Sequence, residues 1–459
     1  MTENSFEKLG LSQPWLDNLD ALGFVEMTPI QAQALPVMLG GSDVIGQAAT
    51  GTGKTAAFGL ALLVRIVPAS AYAGALVLCP TRELAAQVAE EIRKLARPLP
   101  NTNVVTLTGG TAFSRQSDSL KRGADVVVGT PGRVLDHVRR GTLELSRVKT
   151  LVLDEADRML DMGFVDDVSA IIEATPAWRQ TLLFSATISE GVRALSERFQ
   201  RQAEFIAVSQ DEASPDITQV IYDIGRLDRT AALRRVLAHY QPASAVIFCN
   251  ERETVDKVAG ALERAGYSVN ALHGGMEQHE RDNVLLMFSN ASLRLLVATN
   301  VAARGLDIEE LDAVINYELP RDTKEFVHRV GRTGRAGLKG VAISLTGGPE
   351  ARKRESIGEL LEGIEPRPIE QLPNVAEAPL PAAMKTIVIQ GGRRDKLRPG
   401  DIVGALTGDL GVNNDAIGRI IVGDRFTHVA IEHTVADQTA AKLKAGKIKG
   451  RSFRAYILE

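Results

Sequence analysis

Ala48-Ala49-Thr50-Gly51-Thr52-Gly53-Lys54-Thr55 follows a short apolar run, Asp43–Gly46, and precedes a helical pattern. Glycines in such a loop let backbone N–H groups wrap phosphates without Cβ clashes, and the helix start adds partial positive charge. The backbone of Ala49, Thr50, Gly51, Thr52 and Gly53 would line the phosphates. Lys54 would reach the β- and γ-phosphates, and the Thr55 hydroxyl would hold Mg²⁺. The usual pattern begins with Gly, and here Ala48 stands first. The competing reading is a glycine-rich turn without a ligand. Strand, loop and helix in this order predict an α/β fold.

Outward from the loop, short β-branched runs alternate with helical patterns: Ala75–Cys79, Val104–Thr108, Val126–Gly129, Thr150–Leu153, Thr181–Phe184 and Glu204–Val208 read as strands. Such alternation implies a parallel sheet with helices on both faces. The pattern restarts after Pro215, with strands expected at Val220–Ile224, Ala245–Cys249, Ser268–Leu272, Leu293–Ala298, Ala313–Asn316 and Gly340–Ser344. Two tandem parallel-sheet lobes are therefore expected, at 1–208 and 216–363. A linker at 365–383, rich in proline, favours extended chain. The segment 384–459 reads β-α-β-β-α-β, the ferredoxin-like plan of RNA-recognition domains.

Composition bounds the partners. The net charge of −4 hides an asymmetry: residues 384–459 hold 13 Lys and Arg against 8 Asp and Glu, about +5, on an otherwise acidic body. A basic end domain favours a polyanion. Cys79 and Cys249 close apolar runs with no metal spacing, which suits core thiols in a reducing cytoplasm. No apolar run approaches the ~20 residues needed to span a bilayer, and the start of the chain lacks the basic and apolar regions of a signal peptide. A cytoplasmic protein without a membrane partner is expected.

Leu151-Val152-Leu153-Asp154-Glu155-Ala156-Asp157 is the second chemical element. A buried strand delivers carboxylates at its C-terminal end, where open α/β sheets bind ligands. Asp154 suits Mg²⁺ and Glu155 suits a base for an attacking water. Acidic residues after a strand also cap helices, and it is the phosphate loop about a hundred residues earlier that favours chemistry.

Asp154-Glu155-Ala156-Asp157 with the loop at 48–55 is similar to the DEAD-box RNA helicase family, and the family's other motifs follow in order. Gly23-Phe24 and Thr28-Pro29-Ile30-Gln31, with Phe6 upstream, resemble its adenine-reading element. Pro80-Thr81-Arg82-Glu83-Leu84-Ala85, Gly109-Gly110 and Thr130-Pro131-Gly132-Arg133 resemble its RNA-contact motifs, and Ser185-Ala186-Thr187 its coupling motif. Val246-Ile247-Phe248, Gln278 with Arg281, the run from Ala298 to Asp307 and the run from His328 to Arg335 resemble the motifs of its second lobe.

The resemblance implies two RecA-like lobes, ATP with Mg²⁺, and RNA. A side-chain amide can donate to one adenine ring nitrogen and accept from the exocyclic amine, which suits Gln31; the alternative is a helix cap. Phe24 would stack on the base. Arg332 and Arg335 are implied as arginine fingers from the second lobe, against a reading as solvated basic residues. Gly305 and Asp307 match the nucleotide-facing part of the second lobe, with Asp307 on the ribose. Ser185 and Thr187 are implied to bond Asp157 or His328 and couple hydrolysis to unwinding; an N-cap is the other role for Ser185. Arg82, Gly110, Thr130, Arg133, Gln278, Arg281 and Thr299 match RNA-contact positions. Asn300 departs from the family's usual Asp and puts the contact there in doubt.

The last segment resembles the C-terminal domain of a bacterial branch of the family. That implies the hairpin 92 region of 23S ribosomal RNA as its target, and assembly of the large ribosomal subunit as its role. Its sheet is expected to be a poor stacking platform, because Thr386–Gln390 has no aromatic and Thr427–Glu432 has only His428. Arg393, Arg394, Lys396, Arg398, Lys447, Lys449 and Arg451 are the candidates for phosphate contact. Two other classes remain: a DNA-directed P-loop motor, and a nucleotide-regulated RNA clamp with little turnover.

Overall fold

The computed structural model describes residues 4–48, 51–70, 72–207, 217–300, 311–334, 339–347, 364–373, 375 and 378–458. The first sheet belongs to one compact unit, the second and third to another.

The first sheet holds β1 (Val44–Gln47), β2 (Ala75–Leu78), β3 (Val104–Leu107), β4 (Val126–Gly129), β5 (Thr150–Leu153), β6 (Gln180–Ser185) and β7 (Glu204–Ala207). Their order is β3-β4-β2-β5-β6-β1-β7, and every pairing is parallel. Strands β2, β4, β5 and β6 are buried along their whole length, which is why they read as unbroken apolar runs. Helices flank them. The helix Arg82–Leu95 buries Leu84, Ala85, Val88, Ala89, Ile92 and Leu95 along one stripe, and the Thr81 hydroxyl caps its start by accepting from the Leu84 amide at 3.2 Å. Asp43, read as a strand residue, instead precedes β1. Its carboxylate accepts from the amides of Thr181 and Arg201, which ties β1 to its neighbours. Because β5, β6 and β1 are adjacent, the described residues that follow them, 51–53, 154–157 and 185–187, converge.

The second sheet holds β8 (Ile217–Asp223), β9 (Ala245–Cys249), β10 (Val269–Leu272), β11 (Leu295–Thr299), β12 (Ala313–Asn316), β13 (Gly340–Thr346) and β14 (Arg367–Pro368), in the order β10-β11-β9-β12-β13-β8-β14. It too is parallel throughout.

Strand β14 shows that the expected linker at 365–383 begins packed against the second lobe. Arg367 and Pro368 extend the sheet edge, where a missing N–H is tolerated. Ile369 and Leu372 are buried in the second lobe's core, and Arg235 donates to the Glu370 and Leu372 carbonyls. Prolines left the described residues of this stretch with no helix beyond a 3₁₀ turn at Ile369–Gln371, without keeping it off the lobe.

The third sheet is antiparallel: β15 (Met384–Ile389), β16 (Ile417–Val422), β17 (Thr427–Glu432) and β18 (Ala455–Ile457), ordered β16-β17-β15-β18. Ile387, Ile389, Val429 and Ile431 face a core shared with Ile402, Leu406, Ala436 and Leu443 of the helical segments. The alternate residues Thr386, Val388 and Ala430 lie on the opposite face and are also buried. There the Thr386 and Ser292 hydroxyls lie 2.8 Å apart, and the Met384 amide donates to the Ala291 carbonyl at 3.1 Å. The edge of the second lobe thus meets the sheet face that ordinary RNA-recognition domains present to bases.

Candidate active site

The phosphate loop runs from the end of β1 into the helix Lys54–Arg65. Gly53 has φ +88°, and a Cβ there would lie 2.5 Å from Gln31 Nε2 and 3.0 Å from Thr28 Oγ1, so only glycine fits. Gln31 is buried. Its Nε2 donates to the Gly53 carbonyl at 3.0 Å, and its Oε1 accepts from the Thr28 amide at 2.9 Å. The helix-cap reading of Gln31 is therefore realised here, and the same amide braces the phosphate loop. Phe24 meets the buried Phe6 edge to face, ring centroids 6.4 Å apart. Ala49 and Thr50 lie outside the described residues.

Lys54 is buried with its ammonium 2.9 Å from Asp154 Oδ1. Burial pulls its pKa down, but the charges of Asp154 and Glu155 prevail and set it above the ordinary value. Asp154 is fully buried, and burial holds its carboxyl above the usual range against the pull of Lys54. Asp154 Oδ1 meets the Lys54 ammonium, and no other side chain among the described residues bonds either carboxylate oxygen. Two buried acceptors so placed beside a cation, with Thr55 one residue beyond Lys54, fit a metal ion.

Glu155 is also buried, its backbone in the left-handed region (φ 55°, ψ 51°) as the cap of the short helix Ala156–Asp161. Arg158 Nη1 donates to its Oε2 at 2.6 Å. Sequence reasoning passed over Arg158; the i,i+3 spacing of opposite charges on a helix start was the available signal. Asp157 accepts from the Thr187 hydroxyl at 2.8 Å and the Thr187 amide at 2.9 Å, while its own amide donates to Ser185 Oγ at 3.2 Å. The N-cap role offered for Ser185 falls instead to Ser189, which accepts from the Val192 amide and opens the helix Glu190–Phe199.

A second cluster lies at the ends of β3 and β4. A Cβ on Gly109 would sit 2.6 Å from an Arg82 guanidinium nitrogen, and Gly110 has φ +81°. Thr130 caps the helix Pro131–Arg139. Arg133 donates to the Thr111 carbonyl at 2.9 Å and to Gln116 Oε1 at 2.8 Å. Gln116 in turn donates to the Thr108 carbonyl and faces His137 Nε2 at 3.2 Å. His137 is buried, stacked on Phe113 with centroids 4.0 Å apart. Gln116 and His137, unnoticed in the sequence, lock the loop bearing Gly109 and Gly110 to Arg133.

Burial, joined by the Arg133 charge, holds the His137 pKa below its ordinary value. The unfolded chain, with imidazole near pH ~6.5, then binds a proton that the folded lobe refuses. Stability conferred by the neutral ring is present above that pH and is lost as pH falls below it. The thermal midpoint should drop between about pH 7.5 and about pH 5.5, and His137→Gln should shrink the drop. An equal drop in the variant would refute the assignment.

In the second unit, Thr299 ends β11 and is buried. The next residue is Asn300, whose Oδ1 accepts from Arg329 Nε at 2.6 Å. Arg329 also donates to Asn250 Oδ1 at 2.7 Å, Asn316 Oδ1 at 3.0 Å and the Glu318 carbonyl at 2.7 Å. One buried guanidinium thus ties together the loops after β9, β11 and β12. Asn300 keeps the acceptor that an Asp would supply and gives up only its charge. Arg332 is buried two residues past the helix Thr323–Val330, which carries His328. Gln278 bonds Asp282 at 2.9 Å on the helix Gln278–Ser289, where Arg281 is half-buried. Gly305, Asp307 and Arg335 lie outside the described residues.

Arg393, Arg394, Lys396, Arg398, Lys447, Lys449 and Arg451 are all exposed. Lys449 Nζ donates to the Lys396 carbonyl and to Asp401 Oδ2, each at 3.1 Å, so the loops 393–398 and 447–451 form one basic surface. Among the described residues no helix is long and apolar enough to cross a membrane.

Three family models match the chain: DEAD/DEAH box helicase at residues 28–195, helicase conserved C-terminal domain at 228–337, and DbpA RNA binding domain at 386–457. The chain is 48% identical over 456 residues to the ATP-dependent RNA helicase DbpA of Escherichia coli K12, covering 99% of this chain and 100% of that one. It is 43% identical to the DEAD-box ATP-dependent RNA helicase CshA of Geobacillus kaustophilus over 390 residues, 81% of this chain and 83% of that one. Among solved structures, Saccharomyces cerevisiae Dbp5 bound to RNA and ADP BeF3 aligns with a TM-score of 0.72 and 33% identity. That alignment covers 80% of this chain and 96% of that one.

Proposed function

Because the chain belongs to the DEAD-box family of ATP-dependent RNA helicases, we propose that its buried Lys54, Asp154 and Glu155 carry out ATP hydrolysis, and that its C-terminal basic loops direct that hydrolysis to ribosomal RNA. The observation that carries the first part is the Lys54–Asp154 pair: a buried ammonium 2.9 Å from a buried carboxylate that no other side chain among the described residues bonds.

In this reading Lys54 binds the β- and γ-phosphates, and the loop amides from Ala49 to Gly53 wrap them. Mg²⁺, held by Asp154 and Thr55, would neutralise charge on the phosphate oxygens. Glu155 orients the attacking water and takes its proton. Gln31 exchanges its bonds to Thr28 and Gly53 for bonds to adenine, with Phe24 stacked on the base and Phe6 behind it. Since Gln31 braces the phosphate loop through Gly53, reading the base and shaping the loop become one event. Gly305 and Asp307 complete the nucleotide site, and Arg332 and Arg335 supply positive charge to the γ-phosphoryl group from the second lobe.

Arg82, Gly110, Thr130 and Arg133 hold the RNA backbone on the first lobe, with Thr299, Gln278 and Arg281 on the second. Backbone contacts carry no sequence information, and contacts to 2′-hydroxyls would favour RNA over DNA. Asp157, Ser185, Thr187 and His328 couple the two events. Hydrolysis conditional on RNA and closure gives local strand separation rather than long tracking.

The address is the hairpin 92 region of 23S ribosomal RNA in the large-subunit precursor, in the cytoplasm. What supports this is the match to the DbpA RNA binding domain and the single basic surface made by two loops. With one sheet face against the second lobe, charged loops are left as the reading surface. Removing residues 384–459 should erase the preference for a ribosomal hairpin while sparing weak turnover with generic RNA. The check is ATP turnover with a hairpin 92 fragment against an unrelated RNA of equal length. Preference surviving the deletion would refute the addressing role.

A further inference from the structure

We propose that Arg158 is a positioning residue for the hydrolytic step: its guanidinium sets the direction in which the Glu155 carboxylate meets the attacking water. The proposal deepens the site above and rests on Glu155 being the group that handles the water.

Three observations carry it. First, Glu155 holds a left-handed backbone, φ 55°, a conformation that non-glycine residues adopt only when their surroundings impose it. The amides of Arg158 and Met159 donate to the Glu155 carbonyl at 3.0 and 3.2 Å, which fixes the backbone. Second, the side chain is fixed separately, by the 2.6 Å contact from Arg158 Nη1 to Oε2. Both side chains are only 4% exposed, so water screens the pair little. Third, the two cations of the cluster differ in what they can do when ATP arrives. Lys54 pairs with Asp154 and is drawn off by the phosphates. Arg158 lies on the helix that Glu155 caps, and its amide also donates to Asp157 Oδ1 at 3.0 Å. It stays with Glu155 through the exchange.

A base for water must lie within hydrogen-bond reach and in the right direction, and a misplacement of about 1 Å costs roughly 10²-fold in rate. A glutamate has three torsions to be settled, and the guanidinium settles them before substrate binds. Arginine suits this use, because its planar fork is rigid and its charge permanent.

The test is a double-mutant cycle in the full chain with saturating RNA. Arg158→Gln should lower kcat by about 10- to 100-fold and leave KM for ATP within about threefold, since uniform binding is untouched. Arg158→Lys should recover part of the loss. In a Glu155→Gln background, Arg158→Gln should change the residual single-turnover rate by less than about twofold, because a residue acting through Glu155 has nothing left to position. A wild-type kcat for Arg158→Gln, the same fractional loss in both backgrounds, or a loss confined to KM would overturn the proposal. If Arg158→Gln does not fold, Arg158→Lys is carried through the same cycle with the same outcomes. Glu155→Gln turning over at the wild-type rate would remove the site reading and this proposal together. Glu155→Gln inactive beside a fully active Arg158→Gln would overturn this proposal alone.

Discussion

Lys54→Ala is expected to abolish RNA-stimulated ATP turnover, a loss of at least about 10³-fold. Removing one preorganised donor to a developing oxyanion already costs ~10²–10³ in kcat, and Lys54 adds a full charge in a site where it is only 4% exposed. Its loss would also leave the adjacent carboxylates of Asp154 and Glu155 with less compensation for their burial. A modest fall in thermal midpoint should therefore accompany the loss of activity, and a midpoint measured beside the rate separates the two. A folded Lys54→Ala chain that keeps RNA-stimulated turnover would refute the role given to Lys54.

Arg332→Ala should be comparably severe, for a different reason. Arginine fingers are worth ~10³–10⁵ in rate, because they act on charge that builds on the γ-phosphoryl oxygens during transfer. On this reading Arg332 acts on the transition state rather than on ATP binding, so KM should move far less than kcat. The residue is buried just past the helix Thr323–Val330, and its amide donates to the Arg329 carbonyl at 3.2 Å. Arg329 is in turn anchored on Asn250, Asn300 and Asn316. Single-turnover hydrolysis at saturating RNA measures the effect. A rate within about tenfold of wild type would exclude a finger role for Arg332.

The lobes were legible in the sequence because their signals are local. Strands such as Val126–Gly129 are buried on both faces and read as unbroken apolar runs, and the phosphate loop needs its glycines at fixed positions. What escaped was set by partners distant along the chain. The Asn300 side chain gains its meaning from Arg329, 29 residues on. The contact between Ser292 and Thr386 spans 94 residues, and no periodicity announces it. Strand β14 is two residues long and half proline, below any strand signal. Its place is given by the neighbouring edge of β8 and by the burial of Ile369 and Leu372. Gln31 shows a third case: its amide caps a helix and also bonds the Gly53 carbonyl, 22 residues on, a brace that the local pattern does not announce. Arg158 was within reach, three residues from Glu155, but its value depends on a burial that spacing alone does not reveal.

The central claim is that ATP is consumed only when groups from both lobes close around ATP and RNA. Cys79 and Cys249 are fully buried, and burial raises both thiols above their ordinary pKa, which disfavours their labelling. Dyes can therefore be directed to cysteines introduced at the exposed Glu90 of the first lobe and Glu263 of the second. Energy transfer between them should change with a hydrolysis-resistant ATP analogue and RNA together, and should change little with either alone. Transfer unaltered by both ligands together would contradict the claim.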